Sequence, residues 1–100
     1  GLQVNLRLEG KTAAFYRIHQ HAGTTQTALV LLSKGDTAQR VTVDTLVQPG
    51  TWRDAFGGGE VRIDDRIDLE VPAHGVRVLL RDAPVDAPAL QAELSRRMAL

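Results

Sequence analysis

The sequence contains no cysteine, and this absence excludes a group of chemistries at once. Without thiols the chain forms no disulfide, supplies no thiolate nucleophile and builds no cysteine metal site. Aromatic residues are scarce as well, because Phe15, Tyr16, Trp52 and Phe56 are the only four. So few rings are a poor basis for a surface that binds its ligand by stacking.

A net charge is also lacking, since twelve Lys and Arg residues balance twelve Asp and Glu residues. A nucleic-acid binder needs a basic surface to neutralise phosphates, so we expect no nucleic-acid partner. The sequence has no run of about eighteen apolar residues and no charged leader before an apolar stretch, so we expect no membrane contact and no signal peptide. What is present, 100 residues of which 43% are hydrophobic, fits one globular domain with one modest core.

Most of the chain has the apolar–polar alternation of β-strands with one dry face. The clearest example is residues 2–9, in which every second position from Leu2 to Leu8 is apolar. Residues 27–33 are apolar without alternation, which is typical of a central strand covered on both faces. Turn residues follow at intervals of roughly ten positions as far as residue 80. The sequence therefore predicts an all-β fold, an antiparallel two-sheet sandwich of about eight strands with Greek-key-like connections.

Two connections in the second half of the chain are predicted to be hairpins. The glycine run at 57–59 precedes a strand and has no lysine of a phosphate-binding loop after it, so it is interpreted as a flexible hairpin connection. A second hairpin is expected at residues 64–66, with Ile63 opposite Ile67. A shorter loop would place Arg66 on the face that Ile63 buries.

The pattern changes near the end, so the chain is divided into a β-sandwich domain, 1–82, and a linker with a helical tail, 83–100. Asp86 is a suitable N-cap, and Pro88 fits the first turn of a helix. Apolar residues then recur at every fourth position, at Leu90, Leu94 and Met98. This spacing predicts a short C-terminal helix of about three turns, which needs a docked apolar stripe to persist. Its docking site is left open.

No residue of the sequence is a strong catalytic candidate. Asp64 and Asp65 have the chemistry of paired carboxylates, but adjacent Asp residues are ordinary turn formers, and a small sandwich offers no obvious deep groove for them. His19 and His21 lie two positions apart and could bind a transition metal with His74, yet nothing in the sequence fixes a third ligand near them. We therefore expect no catalytic residue, no metal and no cofactor.

The aromatic residues provide the candidate contact sites. Trp52 stands between Thr51 and Arg53 in a short strand, which favours an inward ring in the core. A stacking contact with a sugar ring and a contact with a neighbouring domain remain as alternatives for this residue. Phe15 and Tyr16 are adjacent, so they point to opposite faces of one strand, and at most one of them can reach the core. Trp52 and Tyr16 are accordingly the candidate residues for a sugar or domain contact.

Three blocks in the chain resemble the C-terminal β-sandwich, called domain C, of the α-amylase superfamily of glycoside hydrolases. They are the apolar strand at 27–33, the stretch QPGTWRDAFGG at 48–58, and the run IDLEVPAHGVRVL at 67–79. The segment FYRI at 15–18 is similar to an early strand of the same domain. Together the likeness spans residues 13–80. Within the superfamily it is nearest to cyclomaltodextrin glucanotransferases and their maltogenic relatives.

The resemblance implies a non-catalytic accessory domain of an α-glucan-processing enzyme. In that superfamily the catalytic acid and nucleophile belong to a preceding (β/α)8 barrel, which 100 residues cannot contain, so no catalytic residue of the family maps onto this chain. The implied partner is that barrel of the same polypeptide, whose apolar flank the domain covers and stabilises. In some members of the superfamily this domain also has a secondary maltose site, so the resemblance implies a possible maltooligosaccharide contact here. Glucanotransferases continue into further domains where this chain has its helical tail, so a shorter amylase-type parent is the alternative.

Two interpretations from other classes stay open beside this one. A stand-alone immunoglobulin-like interaction module has the same sandwich shape and does not require a disulfide. An autonomous carbohydrate-binding module would need exposed aromatic rings, of which this chain has few. Titration with a maltooligosaccharide and measurement of starch turnover distinguish these classes from an accessory domain.

Overall fold

The computed structural model describes residues 2–9, 11–21, 24–83, 85 and 87–98, and it is mostly β-structure. Eight antiparallel strands form two sheets, and one helix follows them. The strands are β1 (Leu2–Glu9), β2 (Thr12–His21), β3 (Thr24–Ser33), β4 (Gln39–Val43), β5 (Gly50–Asp54), β6 (Glu60–Ile63), β7 (Ile67–Val71) and β8 (Val76–Arg81). The helix α1 covers Pro88–Met98. The predicted all-β class, the strand number and the C-terminal helix are confirmed.

Six strands form the larger sheet in the order β1-β2-β3-β8-β5-β6, and β4 pairs with β7 in the smaller one. The long strands β2 and β3 pair over their whole length, from Thr12 opposite Ser33 to His21 opposite Thr24. Because β3 also pairs with β8, the apolar segment at 27–33 lies inside the sheet, as predicted. The larger sheet is therefore the frame on which the other elements pack.

Of the two predicted hairpins, one is confirmed and the other is wrong. β5 and β6 pair across the glycine run at 57–59, in which Gly58 has a φ of 75°, a conformation that favours glycine. β6 and β7 do not pair, because β7 belongs to the smaller sheet and places Ile67 opposite Val43 of β4. Ile63 and Ile67 are nevertheless both buried, and they meet one core from opposite sheets. Alternation determines which side chains face the core, but it does not determine which strand becomes the hydrogen-bonding partner.

The core lies between the two sheets and consists of alternate residues from their strands. The larger sheet contributes Val4, Ala14, Tyr16, Ile18, Leu29, Leu31, Trp52, Ile63 and Leu79. The smaller sheet contributes Val41, Val43, Ile67 and Val71. Burial of one large apolar side chain stabilises a fold by about 1.5–3 kcal/mol, so this inner layer supplies the main driving force for folding.

Two strands cannot cover a six-stranded sheet, and α1 with the residues before it closes part of the remaining core. Val85, Ala87 and Leu90 are buried in the same cluster as the sheet residues, and Leu94 packs against that cluster. The helix therefore docks on its own sandwich, through the apolar stripe that the four-residue repeat predicts.

The structure does not test some of the expectations about the C-terminal tail. The predicted N-cap, Asp86, and the side chain of Met98 lie outside the described residues. The division of the chain into 1–82 and 83–100 stays a prediction. Among the described segments, no helix has the length and apolarity that crossing a bilayer requires.

Candidate functional site

Trp52 and Tyr16, the two predicted contact residues, are completely buried in the core. Their rings stack, with centroids 6.1 Å apart and planes 14° from parallel. The neighbours of Trp52 in the strand, Thr51 and Arg53, are exposed, as alternation predicts. A ring without exposed surface cannot stack on a sugar or touch a neighbouring domain in this structure. The structure therefore supports the core interpretation of Trp52, and a contact site has to be sought on other residues.

A buried glutamine satisfies the polar ends of both rings. The Gln48 backbone N–H donates to the Tyr16 hydroxyl oxygen at 2.9 Å, and the Gln48 carbonyl accepts from Trp52 Nε1 at 3.2 Å. The side-chain Oε1 of Gln48 accepts from the Ala87 N–H at 2.9 Å, which ties the residues before α1 to the aromatic pair. Gln48 has no exposed surface, and a satisfied polar network of this kind rigidifies a core. Sequence reasoning missed it, because glutamine is usually exposed and no local pattern marks this position.

Tyr16 has a structural role in the core. Burial raises the pKa of its hydroxyl to about 12, and the hydrogen bond from the Gln48 backbone offsets that rise only in part. The phenol is therefore neutral near pH 7, where it accepts one hydrogen bond and fills the inner face of the larger sheet.

The opposite, outer face of the larger sheet is apolar at its centre. We call its central block the apolar outer face, and its members on β2, β3 and β8 are Ala13, Phe15, Ala28, Val30, Leu32, Val76, Val78 and Leu80. Phe15 lies opposite Val30, and Val30 lies opposite Val78, so the side chains form continuous rows across the three strands. Leu32 and Val76 are exposed by 38% and 42%.

Within the described chain, the apolar outer face has no covering layer. The smaller sheet and α1 contribute their apolar residues to the inner core, on the other side of the larger sheet. Residues 27–33 were expected to be covered on both faces, but Leu29 and Leu31 are buried whereas Leu32 is exposed. Within the described chain, the prediction that this strand is covered on both faces is therefore not met. Phe15 is half-buried on the outer face while its neighbour Tyr16 is inside, so the predicted split between these two rings is confirmed.

The outer face of the smaller sheet is polar. Arg40 Nε donates to Asp68 Oδ1 at 2.6 Å, and the Thr42 hydroxyl donates to the same oxygen at 3.3 Å. The hydrogen bond and charge of Arg40 hold the pKa of Asp68 below its ordinary value. A sheet face in contact with water ordinarily has such residues, whereas a large uncovered apolar patch marks an interaction surface.

A groove lies at one end of the sandwich, where the turn between β5 and β6 meets the end of β7 and the start of β8. We call it the mouth groove. Its volume is about 540 Å³, and the residues that line it include Asp54, Phe56, Glu70, Pro72, Val76 and Arg77. It combines an exposed ring, two carboxylates and one guanidinium, which is a mixture of apolar and polar groups suited to a small ligand.

Hydrogen bonds fix the polar groups of the mouth groove. Asp54 Oδ1 accepts from the backbone N–H groups of Phe56 and Gly57, both at 2.8 Å. These two bonds, together with the nearby Arg77 charge, lower the pKa of Asp54, so its carboxyl group is ionised. Arg77 Nε lies 3.7 Å from Asp54 Oδ2, and Arg77 Nη1 donates to the Glu70 carbonyl at 3.3 Å. Phe56 itself is 70% exposed.

The adjacent carboxylates at the other turn do not form a site. Asp64 is exposed and pairs with Arg62 at 3.0 Å, and Asp65 lies in the same exposed connection between the two sheets. Neither belongs to the residues that line the mouth groove. The turn-former interpretation of these two residues is therefore the one that the structure supports.

The histidines are not brought together by the described structure. His74 Nε2 lies 2.9 Å from Asp36 Oδ1 on the surface, and His19 is exposed on β2. The side chain of His21 lies outside the described part of the chain. Among the side chains that are described, no group of three or more His, Cys, Asp or Glu residues could hold a metal ion.

Two solved structures of glycoside hydrolases share this fold. α-Galactosidase I from Mortierella vinacea matches with a TM-score of 0.61 and 22% identity over 85% of this chain. An α-amylase from Anoxybacillus matches with a TM-score of 0.65 and 21% identity over 87% of this chain. The matches cover 24% of the galactosidase chain and 19% of the amylase chain. No family model matches the chain, and no curated protein matches it.

These matches show that the fold occurs as one part of much longer glycoside hydrolase chains. The chain spans about a quarter of the galactosidase and about a fifth of the amylase. The resemblance to part of an α-amylase is thereby supported at the level of the fold. The nearer likeness to cyclomaltodextrin glucanotransferases is not shown by these matches.

Proposed function

We propose that this chain is a non-catalytic accessory domain of a larger α-glucan-processing enzyme, of the cyclomaltodextrin glucanotransferase or α-amylase type. In this proposal the domain stabilises a preceding catalytic barrel of the same polypeptide by packing the apolar outer face against it. The observation that carries the proposal is the face itself, because three neighbouring strands present apolar side chains that no described element covers.

The surroundings of the face support an interface. Protein interfaces have an apolar centre and a polar rim, and the edge of this face beside Ala28 and Leu80 is polar. Arg53, which lies opposite Leu80, places its Nη2 3.6 Å from Asp82 Oδ2. Gln26 Nε2 donates to the other oxygen of Asp82 at 2.8 Å. The apolar rows thus end at charged and hydrogen-bonding groups.

The comparisons support a hydrolase as the whole protein. Both matching chains are named as glycoside hydrolases, an α-galactosidase and an α-amylase, and in each the matched fold is a minor part. Most of each chain lies outside the match. The α-amylase match and the three sequence blocks favour an α-glucan enzyme.

Two described carboxylates, Asp54 and Asp68, do not have the raised pKa of a general acid. Glycoside hydrolysis needs one carboxylic acid with a raised pKa, which protonates the leaving oxygen. The pKa of Asp54 and that of Asp68 are both lowered by their hydrogen-bond donors. Groups of this kind are ionised near pH 7 and do not act as the general acid.

The test compares the isolated chain with the parent enzyme, meaning the full polypeptide with its catalytic barrel. Val30→Thr keeps the shape and β-branching of the side chain while it makes the apolar outer face more polar. We expect little change in the Tm of the isolated chain and a lower Tm of the parent enzyme. Val41→Thr, in the buried core, is the matched control and lowers the Tm of both proteins.

Two results would contradict the proposal. One is a parent enzyme whose Tm is unaffected by Val30→Thr, which is the result expected if the face serves a separate protein, as in a stand-alone interaction module. The other is release of reducing sugar from starch by the isolated chain, which would make this domain catalytic.

A further inference from the structure

We propose that the part of the inner core beside Gln48 is a peptide-binding cleft, which the C-terminal segment of the same chain occupies as a releasable strap. The strap is residues 85–98, and the strap cleft is the space that its buried side chains fill. In this proposal the strap leaves while both sheets stay folded, and the emptied cleft binds the same segment supplied as a separate peptide. The strap cleft lies on the inner side of the larger sheet, so the inference does not depend on the proposed function.

The polar part of the cleft recognises the backbone of its ligand. Gln48 has no exposed surface, and its Oε1 accepts from the Ala87 N–H at 2.9 Å. Gln48 Nε2 donates to the Pro49 carbonyl at 2.9 Å, so the connection before β5 orients the amide with its oxygen towards the strap. A side-chain amide that binds a backbone N–H does not depend on the side chain of the residue it binds.

The apolar part of the cleft supplies the selectivity. Val85 and Ala87 are two positions apart and both buried, and Leu90 in the first turn of α1 has no exposed surface. All three belong to the same core cluster as the sheet residues. The ligand class is therefore a peptide with the apolar spacing Val-x-Ala-x-x-Leu that becomes helical at its third apolar residue.

The strap is held less firmly than the strands. α1 has eleven residues, a length at which an isolated helix is marginal, and its first turn has no acidic residue to favour the helix dipole. Leu90 is completely buried, but Leu94 is only half-buried. By contrast, β2 and β3 pair over ten residues each. An element with few buried contacts opens locally at a lower free energy than the whole fold.

Backbone strain marks the connection that carries Gln48. Leu46, two positions earlier, has a φ of 55°, a left-handed conformation that is an outlier for a bulky residue. Such strain persists where the surrounding structure enforces it, and it occurs preferentially at ligand clamps and switch regions. The strained connection therefore supports the assignment of Gln48 to a binding role.

The first experiment measures amide hydrogen exchange of the full chain by NMR at low urea concentrations. We expect the protection of the α1 amides to change little with urea, because local opening exposes little surface. The amides of β2 and β3 should lose protection steeply, since only global unfolding releases them. An equally steep urea dependence in α1 would overturn the proposal, because the strap would then open only with the sandwich.

A pair of substitutions sharpens this measurement. Val71 is completely buried beside Pro72 of the mouth groove, whereas Gln48 lies at the other end of β5 from that groove. Val71→Ala should speed exchange in β2 and β3 by at least about tenfold and leave α1 unchanged. Leu90→Ala keeps a strong helix former and should speed exchange in α1 by at least about tenfold. Equal acceleration of α1 and the strands by Val71→Ala would contradict the proposal.

The second experiment tests the cleft directly. A protease recognition sequence is inserted between Ala83 and Pro84 of the full chain, and after cleavage a fluorescent peptide of residues 84–100 is added in excess. We expect saturable binding by fluorescence anisotropy, weakened at least about tenfold by Leu90→Ala in the peptide. Ser95→Ala, at an exposed position of α1, is the matched control and should leave the affinity unchanged. A cleaved chain that stays folded without binding the peptide, or one that unfolds on cleavage, would overturn the proposal.

Discussion

Both faces of the six-stranded sheet have an apolar centre, but they differ in what covers that centre. Tyr16 and Leu31 on the inner face are completely buried by the smaller sheet and α1. Their sequence neighbours Phe15 and Leu32 are on the outer face, where no described element packs on them. The difference teaches that hydrophobicity marks a surface to be covered, whereas the cover itself can belong to another body.

The smaller sheet shows what a solvated face of this protein looks like. Its outer side has Arg40, Thr42 and Asp68 joined by hydrogen bonds, while its inner side is apolar. The outer side of the larger sheet has no such central cluster among the described residues. An apolar patch of this kind on a protein surface is typical of an interaction site.

The largest effect that tests the comparison comes from one substitution made on both faces. Leu31→Ala removes a fully buried side chain, and we expect it to lower the free energy of unfolding of the isolated chain by about 2–5 kcal/mol. Leu32→Ala, one residue further and 38% exposed, should lower it by less than about 1 kcal/mol. Urea denaturation measures both values. Equal losses would mean that the outer face is already packed within this chain.

A smaller effect tests the inner face through pH. The pKa of Tyr16 is raised from 10.0 to about 12, so the folded state holds the proton more tightly than the unfolded state. The stability from this group is complete below pH 10 and is lost as the pH rises towards 12, by about 2–3 kcal/mol. Denaturant unfolding between pH 8 and pH 12 measures the decline. Tyr16→Phe should flatten it, and a decline of the same size in this variant would contradict the assignment.

The smallest effect concerns a polar atom within the inner face. Thr27 Oγ1 is buried and has no hydrogen-bond partner among the described residues. Thr27→Val keeps the shape and removes the unsatisfied hydroxyl, so we expect the free energy of unfolding to rise by about 1 kcal/mol. Thr51→Val, at an exposed position of β5, is the control and should change it by a few tenths of that amount at most. Destabilisation by Thr27→Val would show that the hydroxyl has a partner.

The inner face was predictable from the sequence because period-two alternation reports directly on burial in a strand. The same holds for α1, whose four-residue repeat places Leu90 and Leu94 toward the core. Strand pairing was harder to predict from the sequence than burial was. The connection from Ile63 to Ile67 has the sequence of a hairpin, yet it passes between sheets, because alternation contains no information about the partner strand.

The mouth groove and the contacts of Gln48 could not be predicted from local sequence patterns. The groove joins residues around Asp54 with Glu70 and Arg77, which meet only after the chain has passed between the sheets. Gln48 is paired with Tyr16, which is 32 positions away in the chain. One signal was available for the groove: Phe56 is an aromatic residue beside a glycine run, a place where a core side chain is not expected.

The most direct test asks whether the apolar outer face is covered in the proposed parent enzyme. The chain has no cysteine, so Leu32→Cys places a single thiol of this domain on that face, and Thr42→Cys places one on the polar face of the smaller sheet. Iodoacetamide labelling, read at each site by mass spectrometry, compares the isolated chain with the parent enzyme. The account predicts that the thiol of Leu32→Cys reacts in the isolated chain and is protected in the parent, while that of Thr42→Cys reacts in both. Equal reaction of Leu32→Cys in the two proteins would contradict it.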